Sequence, residues 1–129
     1  MNERLERDFK NFQKAFKNLK IATDQSKTDI EIDGTIKRFE LCYELSWKLI
    51  KEILSNLGII CKNPRECFKH AFTNELIKDE KLWLMMIDDR NRLVHRYDFE
   101  NSREIFENIK NYYVSLFEWL LKKAGDQDE

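Results

Sequence analysis

Apolar residues return along the chain in steps of three and four, and polar residues fill most of the space between them. Leu5, Phe9, Phe12, Phe16 and Leu19 form the first stripe, the spacing that lines one face of an α-helix. It predicts an amphipathic helix over about residues 3–22, then a polar loop from Thr23 to Asp29. Ile36, Phe39, Tyr43, Trp47, Ile50 and Leu54 form a second stripe, thickened by Leu45, Leu49, Ile53 and Leu57. That helix is expected over about 33–57, ending at Gly58, where a C-cap glycine belongs. In Asn63-Pro64-Arg65-Glu66, Asn63 can cap, Pro64 suits the first helical position and Glu66 can reach back to the cap amide. A short helix over about 64–74 follows.

Asp79 can cap the next helix, which carries Leu82, Trp83, Met86 and Ile87 and should end between Arg92 and His95. Asn101 and Glu104 have capping-box spacing. The final stripe is Ile105, Ile109, Tyr112, Leu116 and Leu120, widened by Phe106, Tyr113, Phe117 and Leu121. Lys122 and Lys123 suit the negative end of that helix, and residues 123–129, with Gly125 and the acidic run from Asp126, are expected to fray. No strand, repeat or linker breaks the pattern. The expectation is one domain over 1–129, an all-α, antiparallel up-and-down four-helix bundle with one additional short helix.

Composition supports this. The chain has 129 residues, 42% of them hydrophobic, with nine Phe, four Tyr and three Trp as core material and only three Gly and one Pro as breakers. A chain of this size can build a core without metal or disulfide help. The wide stripes on the second and last helices are more than one short bundle can hide, which predicts a homodimer. Net charge is −1, so any contact with nucleic acid must come from a local patch. Cys42, Cys61 and Cys67 lack paired CxxC spacing and a neighbouring His cluster, so zinc is not expected and reduced thiols in a cytoplasm fit best. The charged start, Met-Asn-Glu-Arg-Leu-Glu-Arg-Asp, is unlike a signal peptide, and no apolar run is long enough to span a membrane.

The chemistry concentrates in Asp88-Asp89-Arg90-Asn91-Arg92-Leu93-Val94-His95-Arg96-Tyr97-Asp98. Arginine binds phosphate through a planar fork, and histidine exchanges a proton near neutral pH. Together they suffice for RNA cleavage without a metal: the imidazole moves the proton of a ribose 2′-OH or of the leaving oxygen, and the guanidinium stabilises charge on the phosphate. Positions 90 and 95 lie roughly 140° apart on a regular helix. The helix must therefore end or bend between them, or the site must combine two chains; both can hold. A plain reading also fits, because Arg and His interact well with a helix C-terminus. Asp88 and Asp89 point in different directions on a helix, so pairing with nearby Arg is expected over a metal site. The Glu40–Glu44–Lys48 run reads as a solvated face with an i,i+4 pair. Trp47, Trp83 and Trp119 read as core or dimer contacts, and His70 as a surface residue.

Arg90 with Asn91, then His95 and Tyr97, resembles the R-x-x-x-x-H-x-Y signature of HEPN proteins with its usual "RN" opening. Arg38-Phe39-Glu40 with Tyr43-Glu44-Leu45-Ser46-Trp47-Lys48 resembles the second-helix signature of nucleotidyltransferase substrate-binding proteins. Pro64-Arg65-Glu66, Ala71-Phe72 and Trp83 ahead of Asp89-Arg90-Asn91 continue it in order. The resemblance implies a helical bundle that pairs as a homodimer and binds a minimal nucleotidyltransferase, commonly encoded beside it. Many HEPN members are ribonuclease toxins whose Arg and His from both chains line a cleft at the dimer interface. By that resemblance Arg90 binds phosphate, His95 is the catalytic histidine, Asn91 is its polar support and Tyr97 is the tyrosine that the partner modifies with adenylate groups. Arg92 and Arg96 have no counterpart role; they add phosphate affinity or face water. The alternative is a non-catalytic subunit whose cleft holds a nucleotide or acceptor for the transferase, or a structural dimer without a ligand. No cofactor is implied, and without a Gly-rich loop or paired acidic motif the chain is not expected to be the transferase itself.

Overall fold

A computed structural model describes residues 1–126. Helix α1 spans Glu3–Gln25, α2 Asp29–Asn56, α3 Pro64–Thr73, α4 Glu80–His95, α5 Phe99–Asn108 and α6 Val114–Gly125, with a π-helical turn over Ile109–Tyr113 joining the last two. The expected four-helix bundle with one short extra helix is present: α1, α2, α4 and the α5–α6 rod are its long members and α3 is the short one. The described residues contain no strand, and none of their helices is long and apolar enough to cross a membrane.

The stripes predicted from spacing become the core, except that Leu57, at the end of α2, and Tyr112, in the π turn, stay exposed. Phe12, Leu19, Ile36, Phe39, Leu49, Ile50, Leu54, Ile109, Phe117 and Leu120 lose all exposure. Phe39 stacks on Tyr113, and Trp83 meets Phe68 and Phe117. Of the three tryptophans only Trp83 is buried; Trp47 and Trp119 are half-buried under Lys51 and under Lys78 with Lys123.

Several boundaries differ from expectation. The polar segment after Thr23 is mostly helical, because α1 continues to Gln25 and α2 starts at Asp29. Thr28 closes a capping box: its hydroxyl accepts from the Glu31 amide, and Glu31 accepts from the Thr28 amide. At the final rod Asp98, not Asn101, is the cap, accepting from the Asn101 amide at 2.8 Å. Asp79 precedes α4 but adopts φ 62° and makes no side-chain cap. Gly58 follows α2 at φ 81°, a conformation that glycine adopts without Cβ strain. Gly125 is still helical, so the expected fraying fails at residues 123–125; residues 127–129 lie outside the described residues.

The cysteines depart from the reduced state expected for them. Cys61 and Cys67 form a disulfide across six positions, with Cα atoms 5.1 Å apart, and both are buried. Asn63 caps α3 and Pro64 opens it, which puts Cys67 at the start of the helix within disulfide reach of Cys61 in the loop before it. Cys42 alone is a free thiol, and burial pushes its pKa well up, which leaves it a small inert apolar residue.

Candidate functional site

Helix α4 carries the Arg–His segment, and its register decides what each residue can reach. The helix is unbroken from Glu80 to His95, so the bend or early end that would bring Arg90 and His95 onto one face does not occur. Asp88, Asn91 with Arg92, and His95 share a face at i, i+3/i+4 and i+7 spacing. With Arg96 and Asn101 they line an open cleft of about 430 Å³.

Arg90 points elsewhere. Its guanidinium lies over the Tyr43 ring, 5.7 Å from the centroid, and pairs with Glu44 Oε1 at 3.3 Å. Glu44 Oε2 in turn accepts from the Trp47 indole at 3.1 Å. Glu44 is thus an anchor for Arg90, not the solvated partner of Lys48 that its spacing predicted. Among the described residues its link back to the cleft is Arg90 Nη1 donating to Asn91 Oδ1 at 3.4 Å. One chain therefore brings Asn91 and His95 together and leaves Arg90 on an adjoining face.

His95 is the last residue of α4, exposed, and its ring makes no hydrogen bond or ion pair among the described residues. The imidazole is free to approach a ligand. Arg92 is held firmly: Asn101 accepts from it at 2.7 Å, Glu104 at 3.3 Å and Asp89 at 3.3 Å. Its charge is matched before any phosphate arrives. Arg96 is the more available cation, its side chain 80% exposed and, among the described residues, paired only with Asp98 at 3.0 Å.

Beneath the cleft lies a polar cluster that sequence reasoning assigned only to arginine pairing. Asp89 is 3% exposed. It does pair with Arg92, and it also accepts from Asn108 Nδ2 at 2.9 Å and from the Tyr113 hydroxyl. Burial, then the Asp89 hydrogen bond, pushes the Tyr113 phenol far above its usual range. On a regular helix positions 108 and 113 would lie roughly 140° apart. The π turn, whose closing bond runs from the Val114 amide to the Ile109 carbonyl, winds them nearly one turn apart instead. Both therefore face one carboxylate. Asp88, on the solvent side, reaches Arg65 at 3.7 Å. Among the described residues no cluster of His, Cys, Asp or Glu gathers as a metal site.

Tyr97 lies just beyond α4, half exposed, and its hydroxyl donates to Asp33 Oδ1 on α2 at 2.7 Å. Arg103 pairs with the same Asp33 at 3.1 Å and with Asp29 at 3.2 Å, while stacking on Phe99 at 4.7 Å. Burial and then the Asp33 carboxylate push the Tyr97 phenol up to about 12. The Tyr97 hydroxyl, and after it Arg103, hold Asp33 below the usual carboxylate range. Asp33 and Arg103 were not singled out from sequence, and Glu44 only as part of a solvated face, because each is tied to the motif by a contact between distant helices.

The family model described as nucleotidyltransferase substrate binding protein like matches residues 7–125. A curated relative, the probable ribonuclease HepT of Haemophilus influenzae, is 30% identical over 91 residues, which are 67% of this chain and 62% of that protein; the match thus spans less than two-thirds of the relative. A Thermus thermophilus protein superposes with a TM-score of 0.80 at 30% identity, covering 88% of this chain and 98% of that one. The tri-AMPylated HEPN toxin of Shewanella oneidensis, solved in complex with its MNT antitoxin, shares the fold with a TM-score of 0.78 at 18% identity, over 98% and 99% of the two chains. A Haemophilus influenzae protein whose structure revealed the fold of a nucleotidyltransferase's substrate-binding domain superposes at 0.67 with 24% identity, over 94% and 96%. Fold, ordered motifs and family model agree: the chain belongs to the nucleotidyltransferase substrate-binding protein family, of the HEPN fold.

Proposed function

We propose that this chain is the HEPN partner of a separate nucleotidyltransferase and, as a homodimer, a metal-independent endoribonuclease. The observation that carries the reading is the continuous α4. It presents an unpaired His95 beside Asn91 in an open cleft while turning Arg90 onto a neighbouring face. A second copy across a two-fold axis supplies the missing cation: with Arg90 of one chain against His95 of the other, the symmetry repeats the pairing in reverse and builds two sites. Exposed Val94 and Phe99 beside the motif, and Leu41 on α2, give that interface apolar surface.

In this arrangement His95 takes the proton of a ribose 2′-OH. The freed oxygen attacks the adjacent phosphorus to close a 2′,3′-cyclic phosphate, the P–O5′ bond breaks and the 5′-oxygen takes a proton from water, and the guanidinium stabilises the charge gathering on the phosphoryl oxygens. Asn91 orients the substrate, and Arg96 adds phosphate affinity at the rim. Arg92 acts as a strut for the cleft wall. Tyr97 is the residue the transferase modifies to silence the activity. An intracellular setting suits an RNA substrate.

A second reading, a non-catalytic nucleotide- or substrate-binding subunit, is favoured by the Arg90–Glu44 pair, which already neutralises the key cation. Cleavage of total RNA in EDTA by the purified chain and by His95→Ala separates the two. The nuclease reading expects cleavage by the wild type alone. No cleavage by either, with Tyr97 shown by mass spectrometry to be unmodified, supports the binding subunit.

A further inference from the structure

Tyr97 does not simply project from the surface. It is half exposed, so a modifying enzyme can reach it, yet its hydroxyl is already aimed at a carboxylate. The Tyr97 Oη–H donates to Asp33 Oδ1 at 2.7 Å, and Arg103 Nη1 stands 3.1 Å from that same oxygen. Asp33 belongs to the first turns of α2, and Arg103 to α5, so two helices hold the pair against the segment that follows α4. Arg103 is itself fixed by Asp29 and by stacking on Phe99, and its buried Nε–H has no acceptor among the described residues.

We propose that this chain carries part of the machinery for its own modification: Asp33 accepts the Tyr97 proton when Tyr97 is joined to a nucleotidyl group. The inference rests on the reading of Tyr97 as the modified residue. The co-reactant is a nucleoside triphosphate held by the transferase. The phenolic oxygen attacks the α-phosphorus, the bond from that phosphorus to the bridging oxygen breaks, and pyrophosphate leaves. The proton passes from Oη to Asp33 and then to water. As the new O–P bond forms the phenol becomes more acidic, so a carboxylate is an adequate acceptor. The resting phenol is protonated near neutral pH, as an ordinary phenol is, and burial and the neighbouring carboxylate raise it further, so Tyr97 reacts as a phenol and needs an acceptor. Arg103 stands next to the nascent phosphodiester, where a cation offsets its charge. The charged groups acting on Oη are then Asp33 and Glu40 on α2 and Arg103 on α5, which Asp29 holds from behind.

The test is the rate of adduct formation by intact mass, with the cognate transferase and ATP, on the wild type, Tyr97→Phe, Asp33→Asn and Asp33→Glu. Asp33→Asn keeps a hydrogen-bond acceptor on a partly exposed site, and circular dichroism checks its fold. The expected result is a wild-type adduct absent from Tyr97→Phe, roughly 100-fold slower in Asp33→Asn and partly rescued by Asp33→Glu. The Asn variant should also gain a rate that climbs with hydroxide where the wild type is level. Wild-type rates in Asp33→Asn, with Tyr97→Phe unmodified, overturn the role of Asp33 alone. An adduct retained by Tyr97→Phe, or none on the wild type, overturns the Tyr97 reading and this inference with it.

Discussion

Asp89 and His95 stand on one helix, six positions apart, under opposite conditions. Asp89 is buried and accepts hydrogen bonds from Tyr113, Asn108 and Arg92. His95 is exposed and makes none among the described residues. A buried carboxylate is tolerated when it is paired and hydrogen-bonded, so the Asp89 side of α4 reads as architecture. An imidazole left without partners is free to exchange a proton with a substrate, so the His95 side reads as chemistry. Arg90 lies between them, its charge matched by Glu44 yet in reach of Asn91.

Substitutions on the two sides should therefore separate stability from activity. Asp89→Ala strands the Tyr113 hydroxyl and the Asn108 amide and should cost about 3 kcal/mol or more in denaturant unfolding. A loss below about 1 kcal/mol would mean the cluster carries no structure. Tyr113→Phe removes one donor at nearly constant volume and should cost about 1–2 kcal/mol. His95→Ala, on the solvent side, should stay within about 0.5 kcal/mol of the wild type while removing RNA cleavage. Loss of activity through unfolding instead would erase the distinction.

The smallest effect is electrostatic. The folded-state pKa of Asp33 lies below its ordinary 3.8 because of the Tyr97 hydroxyl and Arg103. Its contribution to stability is thus present above about pH 4 and lost as pH falls through the folded pKa. Asp33→Asn should therefore lower stability slightly near neutrality and flatten the profile in the acid window, where the wild type loses the same contribution. In the same variant the Tyr97 phenol should move only part-way back from about 12 toward 10, since burial is the larger cause. Absorbance titration near 295 nm, differenced against Tyr97→Phe, measures it.

The helices were readable because a three-and-four period survives any tertiary arrangement that buries one face. Their ends were less so. Thr28 with Glu31 is a capping box in plain sight, but the polar run around it reads equally as a loop. Asp98 took the cap from Asn101 because both precede an apolar stripe at acceptable spacing. The motif itself was legible, and so was the problem of five-residue spacing between Arg90 and His95. Which solution the molecule takes was not, because helix continuity through Asn91 and Val94 depends on packing by Leu93 and on the Arg92 strut. The Asp89 cluster was hidden by the π turn, which shifts the register that pattern reading assumes. The Cys61–Cys67 bond was hidden because a pairing depends on how α3 turns back on its loop, not on spacing.

The central claim is that one chain cannot complete the site, and subunit mixing tests it most directly. Purified Arg90→Ala and His95→Ala, each inactive, are unfolded together, refolded as a mixture and assayed for RNA cleavage in EDTA. A site built from Arg90 of one chain and His95 of the other predicts recovery to roughly a quarter of wild-type activity, because half the dimers are mixed and each holds one complete site. No recovery, with mixed dimers demonstrated by native mass spectrometry, would place Arg90 and His95 of the same chain in one site and contradict the account.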